Sequence, residues 1–103
     1  MAETQEYWRW TEYTWHHPDM DWRQGKRIAA GVDVGSVSSQ ALILVDGQIF
    51  AFSNFRTGSN SPESANKAID GAMKDTGMEL KDIQYSVGTG YGRVNVPFAN
   101  RAI

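Results

Sequence analysis

The dipeptide Asp46-Gly47 constrains this chain more than any other feature, because it stands between two apolar runs. A two-residue hairpin of type I′ needs positive φ at both central residues, and Asp followed by Gly reaches that conformation at low cost. The flanking runs, residues 41–45 and 49–55, therefore predict two antiparallel strands. A third run of small and apolar residues, 28–34, precedes them across a turn of small polar residues at 35–39. The expected opening of the domain is a three-stranded antiparallel meander.

Residues 57–60 then form a polar loop containing Gly58. Ser61-Pro62-Glu63 reads as a helix start: a hydroxyl cap, proline at the first helical position, and an acid near the positive end of the helix dipole. Ala65, Ala68, Ile69, Ala72 and Met73 recur at helical spacing and mark one apolar face. Gly77 suits the left-handed residue that terminates a helix. Residues 82–89 predict a fourth strand, with Ile83, Tyr85 and Val87 on one side, before the tight loop Gly90-Tyr91-Gly92-Arg93. Residues 98–103 read as the start of another helix with no cap after it. The fold class is thus α/β, a mixed sheet that begins as the meander and continues helix, strand, helix. The uncapped last element leads us to expect the first part of a larger domain.

Residues 1–26 differ in character from residues 27–103. They hold all four tryptophans (Trp8, Trp10, Trp15, Trp22), with Tyr7, Tyr13, His16 and His17, and show no clean helical or strand period. So much aromatic surface is rarely left in water, so this extension either docks on a partner or packs on its own domain. His16 and His17 are adjacent and point different ways, unlike the i, i+4 pair of a helical metal site. Phe50, Phe52 and Phe55 are expected in the core. A net charge of −2 with scattered basic residues offers no pull toward nucleic acid or an anionic membrane. No apolar run approaches the roughly 20 residues that span a bilayer, and the polar start is no secretory signal, so a cytoplasmic location is expected. The absence of cysteine excludes disulfides and thiolate-held metal or Fe–S ligands in these residues.

The chemistry concentrates in Gly31-Val32-Asp33-Val34-Gly35-Ser36-Val37-Ser38-Ser39. A carboxylate ends a buried strand, a glycine two residues later lets the backbone turn tightly, and serines follow. Successive N–H groups in such a turn make a concave anion site. Asp33 repels phosphate, so its expected work is to hold a hydrated Mg2+ or to orient a water toward a γ-phosphate. Asp-x-Gly alone describes many plain hairpin turns. Its place between two apolar strands, with an Asp-Gly hairpin and a second glycine loop downstream, favours a phosphate loop. In that second loop, Thr89 and Gly90 follow a strand and Arg93 could pair with phosphate or carboxylate; the alternative is a structural turn with a surface arginine.

From about Ile28 onward, Gly31 to Ala41, then Arg56-Thr57-Gly58, then Thr89-Gly90-Tyr91-Gly92-Arg93 resemble an ATPase family. It includes the activator of 2-hydroxyacyl-CoA dehydratase and the ATPase subunits of benzoyl-CoA reductase. The aromatic extension and the wording Gly-Ser-Val-Ser-Ser-Gln-Ala look closer to the benzoyl-CoA reductase subunit. The resemblance implies an actin/hexokinase/Hsp70-like, ribonuclease H-like fold of two related halves with ATP between them. It implies a 4Fe-4S cluster bridging two ATPase subunits, alike or different, and ferredoxin as electron donor. ATP hydrolysis would drive a low-potential electron to CoA-thioester reductase subunits in oxygen-free aromatic degradation. It assigns Asp33 the catalytic and Mg2+-holding role, through water. Gly35, Ser36, Val37, Ser38 and Gln40 would face the phosphates, and Thr89, Gly90 and Arg93 would form a second loop at the cleft.

Two departures stand out. Many family members carry lysine where this chain has Gln40, which removes a cationic contact to phosphate. The cluster's cysteines would follow Ile103 and the adenine-binding half is absent too, so these 103 residues alone are expected to hold no cluster and to bind ATP weakly if at all. The alternatives are an activator ATPase of a 2-hydroxyacyl-CoA dehydratase, a small-molecule kinase of the same fold, and a non-catalytic lobe that only folds or docks.

Overall fold

The computed structural model describes residues 12–90, together with Pro97, Asn100 and the short strand Arg101–Ala102. The elements run β1 (Tyr13–His16), a 3-10 turn (Trp22–Gln24), β2 (Ile28–Val34), β3 (Ser38–Val45), β4 (Gln48–Arg56), α1 (Ser61–Met73), a 3-10 turn (Leu80–Asp82), β5 (Tyr85–Thr89) and β6 (Arg101–Ala102). They build one mixed sheet in the order β1-β4-β3-β2-β5-β6. The expected meander is β2-β3-β4, antiparallel throughout. β5 returns beside β2 and runs parallel to it, after α1. No helix among the described residues is long and apolar enough to cross a membrane.

Asp46 (φ 52°) and Gly47 (φ 82°) both have positive φ, as the hairpin requires. The Asp46 carboxylate also accepts from the Lys26 and Arg27 amides at 2.8–3.2 Å, so the turn anchors the segment leading into β2.

Alternation along the strands gives the sheet two unlike faces. One carries Ile28, Ala30, Val32 and Val34 of β2, and Ala41, Ile43 and Val45 of β3, all buried. α1 covers this face with Ile69 and with Ala65, Ala68 and Ala72, three small residues that let the helix come close. Each fully buried side chain as large as Ile43 or Ile69 contributes about 1.5–3 kcal/mol over an exposed one. Ser53 lies in this layer, and its hydroxyl donates to the Ala68 carbonyl, which satisfies a buried polar group. The helix cap differs from expectation by one residue. Asn60, not Ser61, accepts from the Glu63 amide (3.1 Å), which leaves Ser61 and Pro62 as the first two helical residues. The helix ends at Met73 with Lys74 as its cap, and Gly77 (φ 78°) belongs to the turn beyond.

The aromatic segment packs on its own sheet from residue 12 onward. β1 pairs antiparallel with β4 at the sheet edge. Trp22 enters the core, and its indole N–H donates to the Thr76 carbonyl at 2.8 Å. Tyr7, Trp8 and Trp10 lie outside the described residues. Of the three phenylalanines expected in the core, only Phe50 is buried there. Phe52 sits on the opposite face, stacked on Trp15 (5.4 Å between centroids) and edge-on to Tyr13 (5.6 Å). Phe55 is half-buried beside Gly71 of α1.

Two further expectations are corrected. β5 begins at Tyr85, because Leu80–Asp82 form a 3-10 turn. Its buried residues are Ser86 and Gly88, while Tyr85 and Val87 share the open face. The expected last helix is also not formed at residues 100–102. Asn100 exchanges hydrogen bonds with Ser86 (2.6 and 2.7 Å), and Arg101–Ala102 pair parallel with β5. An extended chain here pairs the edge of β5, whose N–H and C=O groups a helix would leave unpaired. Phe98, Ala99 and Ile103 lie outside the described residues.

Candidate functional site

The open face of the sheet is polar at one end and apolar over the rest. Strand pairing lines up Thr89, Asp33, Gln40, Asn54 and Tyr13 in one row across five strands. The next row is Val87, Gly31, Leu42, Phe52 and Trp15. The polar row lies at the C-terminal ends of the parallel pair β2 and β5, where open α/β sheets place their ligands. Asp33 is exposed there and Gln40 half-buried.

The loop joining β2 to β3 lies just beyond this row. Its Gly35 amide donates to the Ser38 carbonyl at 3.0 Å. No residue from Gly35 to Ser38 has positive φ, so this is not the primed turn seen at Asp46-Gly47. Glycine is needed at 35 for close approach: a Cβ there would sit 2.8 Å from the Ser38 carbonyl oxygen. The Ser36 and Val37 amides meet no acceptor among the described residues, and both residues are exposed. Two neighbouring N–H groups without an internal partner are what an anion site requires.

The loop is fastened from behind. The Val37 carbonyl accepts from the Thr57 amide (2.9 Å), and the buried Ser39 hydroxyl bonds that of Thr57 (2.7 Å). Gly58 in turn donates to the Ser64 hydroxyl on α1 (2.9 Å). Beside them, Gln40 Nε2 donates to Ser38 Oγ (2.8 Å) and to Asn54 Oδ1 (2.7 Å).

Gly90, at the end of β5, closes on Asp33 from the other side. Thr89 pairs with Asp33 across the parallel strands. Gly90 (φ 88°) lies so close that a Cβ would collide with Asp33 Oδ1 and come within 2.8 Å of the Val34 carbonyl oxygen. The structure therefore brings Asp33, Gly35, Ser36, Val37, Ser38, Gln40, Thr89 and Gly90 to one end of the sheet. Arg93 lies outside the described residues.

Asn54 and Thr57 join the site without having been singled out as site residues. Arg56-Thr57-Gly58 stands out as a motif, but nothing in the sequence says that Thr57 reaches Ser39. Asn54 has no local signal, since its place beside Gln40 depends on strand register.

Among the described residues no group of three His, Asp or Glu side chains could enclose a metal. A single carboxylate suits Mg2+, which keeps several waters and takes further oxygens from phosphates. A 4Fe-4S cluster does not fit, because the chain has no cysteine. Concavities of about 540 Å3 and about 240 Å3 flank α1, near Gly71 and near Asn60, away from Asp33.

No protein-family model matches the chain. It is 42% identical over 76 residues to the activator of lactoyl-CoA dehydratase from Anaerotignum propionicum, a match covering 71% of this chain and 28% of that protein. It is 36% identical over 64 residues to the (R)-2-hydroxyglutaryl-CoA dehydratase activating ATPase of Acidaminococcus fermentans, covering 61% and 24%. The solved activator of the 2-hydroxyisocaproyl-CoA dehydratase from Clostridium difficile, with bound ADPNP, matches with a TM-score of 0.66 at 31% identity, covering 74% of this chain and 28% of that one. The chain thus spans between 24% and 28% of the length of these proteins.

Proposed function

Because this chain belongs to the activator ATPases of the 2-hydroxyacyl-CoA dehydratases, we propose that its polar sheet end is one wall of an ATP cleft. In this reading the Ser36 and Val37 amides and the Ser38 hydroxyl bind phosphate oxygens. Asp33 holds a Mg2+ through water or orients the attacking water. Bound Mg2+ would neutralise phosphate charge. Thr89 and Gly90 lie against Asp33, and in this proposal Arg93 would reach toward the nucleotide.

The observation that carries the reading is that the turn after β2 and the Thr89-Gly90 end of β5 both meet Asp33's end of the sheet, through two separate strand pairings. ADPNP bound in a structural relative supports a nucleotide as the ligand.

For the whole protein we propose ATP hydrolysis coupled to electron delivery to a CoA-ester dehydratase. The named relatives are dehydratase activators, which favours that partner over the benzoyl-CoA reductase suggested by the wording around Ser36. A second ATPase subunit and ferredoxin belong to the same proposal. The cluster would need thiolates that this chain does not contain.

Melting curves test the ATP wall. A ligand that binds only the native state raises stability, by about 2.7 kcal/mol at a hundred times Kd. Mg·ATP at millimolar concentration should raise Tm, and Asp33→Asn should remove the part of the rise that depends on Mg2+. An unchanged Tm in the wild-type chain overturns the reading.

A further inference from the structure

We propose that Gln40 is a positioning residue that sets the hydrogen-bond direction of Ser38, leaving the Ser38 hydroxyl hydrogen for a phosphate oxygen. The proposal rests on the nucleotide reading and adds a role that a carboxamide can fill where a lysine would act by charge.

A glutamine side-chain amide has two N–H hydrogens, and a serine hydroxyl can accept while donating its one hydrogen. Both Gln40 hydrogens are in use. One goes to Asn54 Oδ1 at 2.7 Å and the other to Ser38 Oγ at 2.8 Å. Asn54 is 7% exposed and directly opposite Gln40 across β3 and β4, so it fixes the carboxamide from the buried side. Ser38 lies two residues along the same strand face, at the end of the phosphate loop. Since Ser38 Oγ receives the Gln40 hydrogen, its own hydrogen must point elsewhere. The neighbouring Ser39 is different: it is fully buried and its hydroxyl is engaged with Thr57. Of these two adjacent serines, Ser38 is the one set as an outward donor. Were the amide reversed, Ser38 would donate inward to Gln40 and present only lone pairs to an anion.

The test uses Gln40→Met, which keeps the bulk and removes the donor, with Ser38→Ala and the double variant. Kd for Mg·ATP is measured in each, and a melting curve without ligand confirms that each folds. Losing a hydrogen bond to a charged group weakens binding about tenfold or more. Gln40→Met and Ser38→Ala should each show that loss, and the double variant should bind no worse than Ser38→Ala alone, because coupled residues are non-additive. Independent, multiplying losses overturn the proposal, as does unchanged affinity in Gln40→Met.

The side-chain amide resonances of Gln40 give a second readout without nucleotide. One of its two N–H signals should shift and exchange faster in Ser38→Ala, and unchanged signals overturn the proposal. Wild-type protein that binds no Mg·ATP instead brings down the nucleotide reading, and with it the purpose assigned to Ser38. The amide signals alone would then report whether the Gln40–Ser38 bond exists.

Discussion

Replacing Gly90 with alanine should destabilise the protein more than the same change at Gly47 or Gly77, for a reason that can be isolated. Gly47, Gly77 and Gly90 have nearly equal φ values of 82°, 78° and 88°. Alanine at each meets the same backbone penalty, about 1–2 kcal/mol. Their surroundings differ. A Cβ at Gly47 meets nothing within 4 Å, and at Gly77 it meets the guanidinium tip of Arg23 at 2.5 Å, which can swing away. At Gly90 it collides with Asp33 Oδ1 and also lies 2.8 Å from the Val34 carbonyl oxygen. The carboxylate can rotate, but the carbonyl belongs to β2 and moves only if the strand does. Overpacking of this kind costs about 1–3 kcal/mol. The total for Gly90→Ala is then about 2–5 kcal/mol, a large share of the roughly 5–15 kcal/mol that holds a domain folded. Urea unfolding measures it. With a slope of about 2 kcal/mol per molar, the midpoint should fall by roughly 1–2.5 M and the slope should stay the same. Gly47→Ala is the backbone-only control. Gly31→Ala, with open space and no positive φ, should be neutral or gain up to about 1 kcal/mol. If Gly90→Ala costs no more than Gly47→Ala, the close approach of Gly90 to Asp33 and Val34 is refuted.

Three further outcomes are expected. Trp22→Ala should cost about 3–5 kcal/mol in denaturant unfolding, because the indole fills the core. Trp15→Ala, on an exposed ring stacked on Phe52, should cost about 0.5–1.5 kcal/mol; equal losses would contradict the different burial of the two. Asn60→Ala should remove about 1 kcal/mol by the same measurement, since it leaves the Glu63 amide without its cap, while Ser61→Ala should cost less. Glu12 accepts from the Arg56 amide and from Lys67, and chiefly the Arg56 bond holds its carboxyl below the ordinary value of 4.5. A lowered folded pKa gives stability that is present above 4.5 and lost as pH falls through the lowered value. The Glu12 side chain is exposed to solvent, which screens the interaction, so the effect stays local. The Arg56 amide shift should titrate below pH 4.5 and stop doing so in Glu12→Gln.

Much of the candidate site's layout was legible because it is built from local signals. Asp-Gly between apolar runs located the hairpin, and that placed Asp33 at the end of a strand beside a turn. The helix face from Ala65 to Ala72 followed from spacing alone. What escaped depended on contacts between segments distant in sequence. Ser86 and Gly88 do not look like core residues, yet they take the buried side of β5. Residues 100–102 looked helical but lie along the edge of β5.

The chain's own order of residues decides its meander, its turn chemistry and the run of small polar residues after Asp33, because each of these needs only neighbours in sequence. Which side chain stands beside Gln40 is a tertiary matter. Val45 pairs with Gln48 at the hairpin, and an unbroken ladder from that pair would set Gln40 opposite Ser53. Phe50 is an extra residue in β4, its carbonyl bonded to the His17 amide and its ring buried in the core. That bulge shifts the pairing by one, so Asn54 faces Gln40 while Ser53 turns under α1. Since one step of register exchanges the faces of every residue beyond it, the core's demand for Phe50 determines the polar row at the site.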